Sequence, residues 1–535
     1  MSGSEASAAP AQGKSAYPGV NPWLIALLVS VATFMEVLDT TIANVALRYI
    51  SGGLAVGPDQ AAWVITSYLV ANSIVLCASG WLAGTFGRRN FFLACIALFT
   101  ASSVLCGLAW NLESLLVFRV LQGLAGGGMT PVAQSILAAA FPPEKRGQGF
   151  ALYGVAVVVA PVVGPTLGGF LSDNYSWHWC FLINAPVGLI SLVAIWFILP
   201  ESKEAKRERA KRWKEGLRFD LLGFVLIATV LGALEVVLDK GQEDDWFGSR
   251  FIVTFALMSA TALVLFVPWS LIRKDPIIDT RMLVGRQFGT CFLVMLATGA
   301  ILISTTQFLP QLLQDDFGYT AMLSGLVLAP GGLVTMVMMF VVGRLGMVQP
   351  KYLIAAGALI VSAGMIYLTN LYGDLDFGFF AFSRMIIGVG LPLIFIPITT
   401  ASYDGIPPHK TDQASALINM ARNFGGSIGV SLAQTTLARR EQFHQARLAS
   451  HVGAWNPWYH ETLQQVQGYF ATQPATGGSP AQTATAWIGQ QVQAQSSFLS
   501  YIDVFFVLAL LSLAAVPLAL SLRPVTRAEG SQAAH

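Results

Sequence analysis

The segments RVLQG (Arg119–Gly123), followed by Pro131, and RMIIG (Arg384–Gly388), followed by Pro397, are two copies of one pattern standing 265 residues apart. Two further pairs repeat nearly that spacing. GWLAG from Gly80 answers GRLGM from Gly343, 263 residues on, and GPTLGG from Gly164 answers GGSIGV from Gly425, 261 residues on. Each match is short and Gly-dominated, but a shared offset means that a whole block of helices occurs twice. All six segments lie in apolar stretches. At roughly 20 apolar residues per crossing, fourteen spans are predicted, near 22–47, 61–83, 91–110, 113–140, 149–172, 179–199, 218–239, 250–272, 289–312, 322–343, 352–371, 376–402, 414–438 and 499–522. The offset pairs spans 2, 4 and 5 with spans 10, 12 and 13. That pairing requires six helices, an inserted pair, and six more.

The expectation is an all-α polytopic membrane protein with 14 transmembrane helices: a six-helix bundle over 22–200, two inserted helices over 218–272, and a second six-helix bundle over 289–522. An Ala/Ser/Gly/Pro-rich tail (1–21) lacks the bulky apolar groups needed to order itself. A basic loop (201–217) and a second tail (523–535) complete the chain, with a Gln-rich loop (439–498) between spans 13 and 14. That loop is too polar to cross, and its REQFHQARL and AWIGQQVQAQ flanks suit amphipathic helices at the interface. Span 1 is too long for a signal-peptide core, so no cleaved leader is expected.

Composition agrees and excludes other classes. The chain is 54% hydrophobic with a mean hydropathy of +0.61, and only 11% charged, against about 25% for soluble domains. A net charge of +2 provides no field for nucleic acid. The cysteines (77, 95, 106, 180 and 291) lie in apolar stretches without metal-binding spacing, and the histidines lie in loops, at edges or at the terminus. No metal site, no cofactor and no enzymatic cluster is expected; the GxxxxGK[ST] phosphate loop is absent, so the energy source would be an electrochemical gradient.

Orientation follows from Lys and Arg. With the N-terminus inside, 22 fall in inside loops and tails, 6 in outside loops and 3 (Arg119, Arg384, Arg422) within spans. Both termini are therefore placed in the cytoplasm, and the 439–498 loop outside.

A charge at mid-bilayer costs roughly 2.5 to 3.5 kcal/mol and marks a functional site by default. Span 1 carries Glu36 and Asp39, three apart and so on nearly one helix face. At about 1.5 Å per residue, Asp39 lies about 12 Å and Arg119 about 9 Å from the outer ends of their spans, which allows them to pair. A fixed pair would serve structure alone. A pair broken or shifted by protonation of a span 1 carboxylate would bias an inward-open against an outward-open state. A guanidinium opposes protonation of the acid beside it, which makes Glu36 a candidate for the titrating group with Asp39 as its charge-paired relay, and leaves the choice between the two acids open. Proton coupling is therefore assigned to the cluster Asp39, Glu36 and Arg119. Glu235, in the inserted pair, reads as an interfacial carboxylate. Arg384 and Arg422 need partners, among which an anionic substrate group is one. Asn44, Gln134, Asn419 and Arg422 are candidates for the pathway between the halves. In GVAVVVAPVVGPTLGG (154–169), Pro161 and Pro165 remove helix hydrogen bonds among Gly164, Gly168 and Gly169, the mark of a hinge or close helix interface.

These residues resemble the major facilitator superfamily, and within it the fourteen-helix drug:proton antiporters of the EmrB type. LDTTIANVAL (38–47) resembles the first-helix motif with its Asp at Asp39. GWLAGTFGRR (80–89) resembles the loop motif with Gly80, Gly87, Arg88 and Arg89. FRVLQGLAGG (118–127) resembles the fourth-helix motif with Arg119 and Gly123, and GPTLGG the antiporter motif of helix 5. WHWCFLINAPVG (177–188) and LDKGQEDDW (238–246) add group-level matches. The loop motif commonly has an acid where Gly84 stands, so its charge relay is not expected here, and Arg88 and Arg89 are left as topology and headgroup contacts. Arg48 stands where the group often has Pro.

The resemblance implies export of lipophilic drugs across a bacterial inner membrane in exchange for protons. It also implies an EmrA-type periplasmic adaptor and a TolC-like outer-membrane channel as partners. The alternative is an importer or uniporter of a specific metabolite without proton antiport.

Overall fold

The computed structural model describes residues 17–524, apart from 18, 143–144, 202–205, 207–208, 211–212, 214–218, 346–347, 374, 408–409, 454 and 473–478. Most of both predicted tails and of the basic loop thus lies outside the described residues.

Fourteen long helices follow one another: α1 (Pro22–Leu54), α2 (Pro58–Phe86), α3 (Arg88–Cys106), α4 (Leu112–Ala140), α5 (Arg146–Asn174), α6 (Trp179–Ile198), α7 (Leu221–Lys240), α8 (Arg250–Ile272), α9 (Arg286–Asp315), α10 (Ala321–Arg344), α11 (Pro350–Leu368), α12 (Phe377–Ala401), α13 (Thr411–Ala449) and α14 (Pro480–Leu520). Local sequence sets their starts. Asn21 caps α1 ahead of Pro22, Asn111 and Ser114 form a reciprocal capping box on α4, and Ser479 and Gln482 do the same ahead of Pro480 on α14.

Thirteen of these helices are long and apolar enough to cross a membrane. The exception, α13, carries Gln413, Asn419, Arg422 and Asn423, yet it packs on α9 and α14 of its own half and on α2 and α4 of the other. Its polar groups face protein, which is where a membrane helix tolerates them.

The duplication is visible in the packing. In the first half α1 packs on α5, α2 on α4, α3 on α4, and α3 and α1 on α6; in the second half α9 packs on α13, α10 on α12, α11 on α12, and α11 and α9 on α14. The halves meet along α5 against α10, with α13 against α2 and α4. Helices α7 and α8 pack on each other, and α7 lies against α2 and α13.

Four expectations meet the structure here. Helix α1 runs past the predicted limit near 47, through Arg48 to Leu54, and ends in a left-handed Ala55. Helix α5 runs continuously through Pro161 and Pro165, and its small residues form the close helix interface that is one of the two readings of that segment, Gly164 meeting Thr41 of α1 and a Cβ on Gly168 lying 3.3 Å from the Ile42 backbone. The 439–498 segment is not a loop with interfacial helices. REQFHQARL continues α13 and AWIGQQVQAQ belongs to α14, each running about 60 Å at 1.5 Å per residue, twice a bilayer core. A helix at Pro457–Ala471 packs on α14, and Asp503 of α14 accepts from Arg440 and from His444 (2.8 Å) of α13. The TQPATGGSPAQ turn lies largely outside the described residues. Finally, Tyr17, within the tail expected to lack order, is buried beside Arg88 and Asp412.

Candidate functional site

Asp39 and Arg119 form a fully buried ion pair, Arg119 Nη1 donating to Asp39 Oδ2 at 2.7 Å. A buried pair holds only if its remaining donors and acceptors are met, and here most are. Arg119 Nε donates to the Val64 carbonyl (3.0 Å) and Nη1 also to Gln122 Oε1 (2.8 Å). Asp39 Oδ1 accepts from Gln122 (2.9 Å) and from Asn184 of α6 (2.7 Å), which also donates to Ser103 of α3. The guanidinium lies 4.5 Å from the Tyr68 ring centre and 5.4 Å from that of Phe181, a cation–π enclosure. The pair therefore joins α1, α2, α4 and α6. Gln122, one turn after Arg119, and Asn184, inside LINAPVG, were legible as polar residues in apolar spans but were not singled out.

Glu36 lies one turn from Asp39 in a different setting. It is buried, accepts from Thr130 of α4 at 2.6 Å, and forms no ion pair among the described residues. Asn72 of α2 and Arg422 are both close enough to act on it electrostatically. Three of the pathway candidates converge beside it: Asn419 donates to Gln134 (2.8 Å), Gln134 to the Tyr153 hydroxyl (3.2 Å), and Arg422 to the same hydroxyl (3.4 Å). Asn423 of α13 reaches Asn72 of α2 at 3.5 Å. This polar layer spans α4, α5 and α13, with α2 alongside, so it lies between the halves.

The other candidates are placed elsewhere. Asn44 is exposed on α1. Arg384 is buried in the second half, where its Nε and Nη1 have no hydrogen-bond partner and no acid among the described residues acts on it. The partner expected for it is not present among those residues. Glu235 is not interfacial; it is 2% exposed and accepts from Ser427 of α13 at 2.6 Å.

At the end carrying the basic loops, the halves are held together. Arg88 Nε donates to Asp412 Oδ1 at 2.7 Å, Asp412 standing in the first turn of α13, where a carboxylate also meets the positive end of the helix dipole. This corrects the expectation that Arg88, lacking an acid at position 84, contacts only headgroups: the acid comes from the other half. Arg89 donates to the Trp196 carbonyl (2.6 Å) with its guanidinium 5.3 Å from that ring. A Cβ on Gly80 would lie 3.2 Å from the Asp412 backbone. Ser135 meets Ser415 (3.2 Å), and Tyr403 bonds to Ser415 (2.7 Å) while stacking on Phe150 at 5.7 Å. Gly87, with φ of +88°, opens α3 in a conformation that favours Gly. Gly123 lets α4 touch α2, where a Cβ would collide with the Tyr68 carbonyl and lie 2.9 Å from the Ala71 Cβ. Gly169 is buried on α5.

All five cysteines are buried free thiols, and among the described residues no group of His, Cys, Asp and Glu is arranged to hold a metal.

The Major Facilitator Superfamily matches residues 29–430. The multidrug export protein EmrB of Haemophilus influenzae is 36% identical over 494 residues, 91% of this chain and 93% of its own. The fatty acid resistance protein FarB of Neisseria gonorrhoeae is 37% identical over 439 residues, 82% and 85% of the two chains. Among solved structures, the proton:xylose symporter XylE superposes with a TM-score of 0.57 at 14% identity, covering 93% of this chain and 96% of its own, a likeness of fold. A duplicated six-helix architecture, its motifs in place and such relatives over most of its length make this multi-pass membrane chain a member of the major facilitator superfamily, in the group of the EmrB-type efflux pumps.

Proposed function

We propose that this protein exports lipophilic drugs or toxic compounds across the bacterial inner membrane in exchange for protons, by alternating access. The carrying observation is Glu36: a buried carboxyl in a membrane-spanning helix, without an ion pair among the described residues, bonded to Thr130, with Asn72 and Arg422 close enough to act on it and Asn72 in turn reached by Asn423 of the second half. A group so placed gains or loses a proton at the seam between the moving bodies. Ionised, it adds a negative charge opposite Arg422; neutral, it releases that attraction, and the balance between the two access states shifts. The Asp39–Arg119 pair anchors α1 to α4 beside it. With the basic end latched through Arg88 and Asp412, opening toward the cytoplasm requires that contact to part.

At roughly 2.3 kcal/mol per charge per 100 mV and about 1.4 kcal/mol per tenfold ratio, one proton across 100 mV sustains a substrate gradient of about 40-fold. The outward extensions of α13 and α14, clamped by Asp503, support docking to an EmrA-type adaptor in a tripartite pump with a TolC-like channel. They stand on the side that the Lys/Arg distribution places in the periplasm.

The test is dye efflux from proteoliposomes under an imposed pH gradient for the parent, Glu36→Gln and Asp39→Asn. The expected result is gradient-driven efflux in the parent, with coupling lost and dye binding retained in Glu36→Gln. Parent transport that ignores the gradient overturns the reading.

A further inference from the structure

The inserted helices stand outside the repeat, yet α7 touches both halves through two carboxylates one turn apart. Asp239 accepts from Thr66 of α2, in the first half, and Glu235 accepts from Ser427 of α13, in the second. Neither forms an ion pair among the described residues. The charged groups on the helices around Glu235 are Asp59 of α2, Arg250 of α8, and Asp412, Arg422, Arg439, Arg440, Glu441 and Arg447 of α13. None pairs with it, and on its own helix Lys240 pairs with Glu243. Asp239 is the one titratable group acting on it.

Glu235 is also connected. The Ser427 hydroxyl reaches the Asn423 backbone carbonyl one turn earlier (3.4 Å), the Asn423 side-chain amide reaches Asn72 (3.5 Å), and Asn72 lies close enough to Glu36 to act on its carboxyl. A row of short polar groups therefore runs from α1 through α2 and α13 to α7, between two carboxyls that form no ion pair among the described residues. Generic packing needs no such row, since polar groups in a membrane interior are costly unless used.

We propose that Glu235 is a second proton-binding carboxyl of the transport cycle, joined to Glu36 through Asn72, Asn423 and Ser427, so that α7 belongs to the coupling machinery. The inference rests on the proton-coupled reading above. One proton binds to a Glu235 carboxylate oxygen from the outer side and leaves toward the cytoplasm, with no other reactant. Displacement of α13 against α7 during rocking withdraws the Ser427 donor from the carboxylate. Withdrawal of a donor from a buried carboxylate favours its neutral form, which is what alternating proton affinity requires.

The experiment measures protons released into weakly buffered detergent solution when the purified full chain binds a lipophilic cationic dye. The proteins compared are the parent, Glu36→Gln, Glu235→Gln, the double variant, Glu235→Asp and Ser427→Ala. Glu235→Gln keeps dye binding and releases about half the protons of the parent, the double variant releases none, and Glu235→Asp recovers the release. Ser427→Ala keeps the number of protons and moves the pH midpoint of release; it reads the proposal even if Glu235→Gln fails to accumulate. Release from Glu235→Gln equal to the parent, or an unmoved midpoint in Ser427→Ala, overturns the role of Glu235. If Glu36→Gln lowers release while Glu235→Gln does not, only this inference falls; if the parent releases no protons, the proton-coupled reading falls with it.

Discussion

The Asp39 carboxylate and the Arg119 guanidinium stand 2.7 Å apart with neither side chain reaching solvent, and Gln122 and Asn184 bond to the same carboxylate. Glu36, one turn away, has hydroxyl and amide partners and no cation paired to it. Two acids of one helix face thus differ in setting: one is a hydrogen-bonded joint between α1, α4 and α6, and the other is the carboxyl to which the proposed proton cycle assigns its charge change.

Breaking the joint strands a buried charge. Arg119→Leu is expected to destabilise the protein by about 3–5 kcal/mol, read as a lowered melting temperature in a single detergent. The double variant Asp39→Leu/Arg119→Leu removes both charges and is expected to recover most of that loss.

Arg384 occupies the repeat-related position but has no acid partner among the described residues. Arg384→Leu is expected to leave the melting temperature unchanged or raised, opposite in sign to Arg119→Leu, because the replacement removes an intramembrane cation costing roughly 2.5 to 3.5 kcal/mol. A fall as large as that of Arg119→Leu would mean that Arg384 has a partner.

The latch between the halves is a single ion pair whose side chains still meet solvent, so its contribution is modest. Asp412→Asn is expected to shift the access equilibrium toward the cytoplasm by about 1 kcal/mol, roughly fivefold. Faster labelling of a cysteine introduced at Ser135, in a background without native cysteines, would record it, and the exchange Arg88→Asp/Asp412→Arg should slow labelling again.

Gly123 is a steric requirement. Gly123→Val drives a side chain into the α2 backbone at Tyr68 and is expected to cost about 3 kcal/mol or more, seen as loss of monodisperse protein on size-exclusion chromatography. Gly52, whose Cβ would meet nothing within 4 Å, should accept Ala without that loss.

Asp316, just beyond the C-terminal end of α9, has its carboxyl raised from 3.8 to about 6 by burial, reinforced by Asp315 and Glu441 and opposed by the Ser497 hydrogen bond. The native state holds this proton more tightly than the unfolded chain. Its contribution is therefore full below 3.8 and lost as pH rises through about 6. Asp316→Asn should flatten that part of the profile, with melting temperature against pH from 3.5 to 8 as the readout; an unchanged slope between 4 and 7 would refute the assignment.

Much of the architecture was legible because membrane burial imposes strong patterns. Span length, Gly-dominated motifs and a repeat offset are local or periodic, and they survive without coordinates. The Asp39–Arg119 contact was accessible for the same reason: depth along a helix can be counted. The partners that complete the site were not. Asp412 reads as an ordinary loop acid, Ser427 and Asn423 as scattered polar residues, and Glu235 as an edge carboxylate, since nothing in a linear chain tells which face of α13 meets α2 or α7.

By itself the sequence determined that this is a duplicated helical membrane protein with charges buried in spans 1, 4, 12 and 13, because the bilayer penalises every unpaired backbone polar group and charge at a fixed depth. Only the tertiary structure decided which of those charges are paired. Arg119 has its acid, Arg384 has none among the described residues, Arg88 finds its partner 324 residues away, and the polar residues of α13 become the seam between the halves. The reason is rotation about the helix axis: depth follows from residue count, whereas the direction in which a side chain points is settled by the packing of one helix against its neighbours.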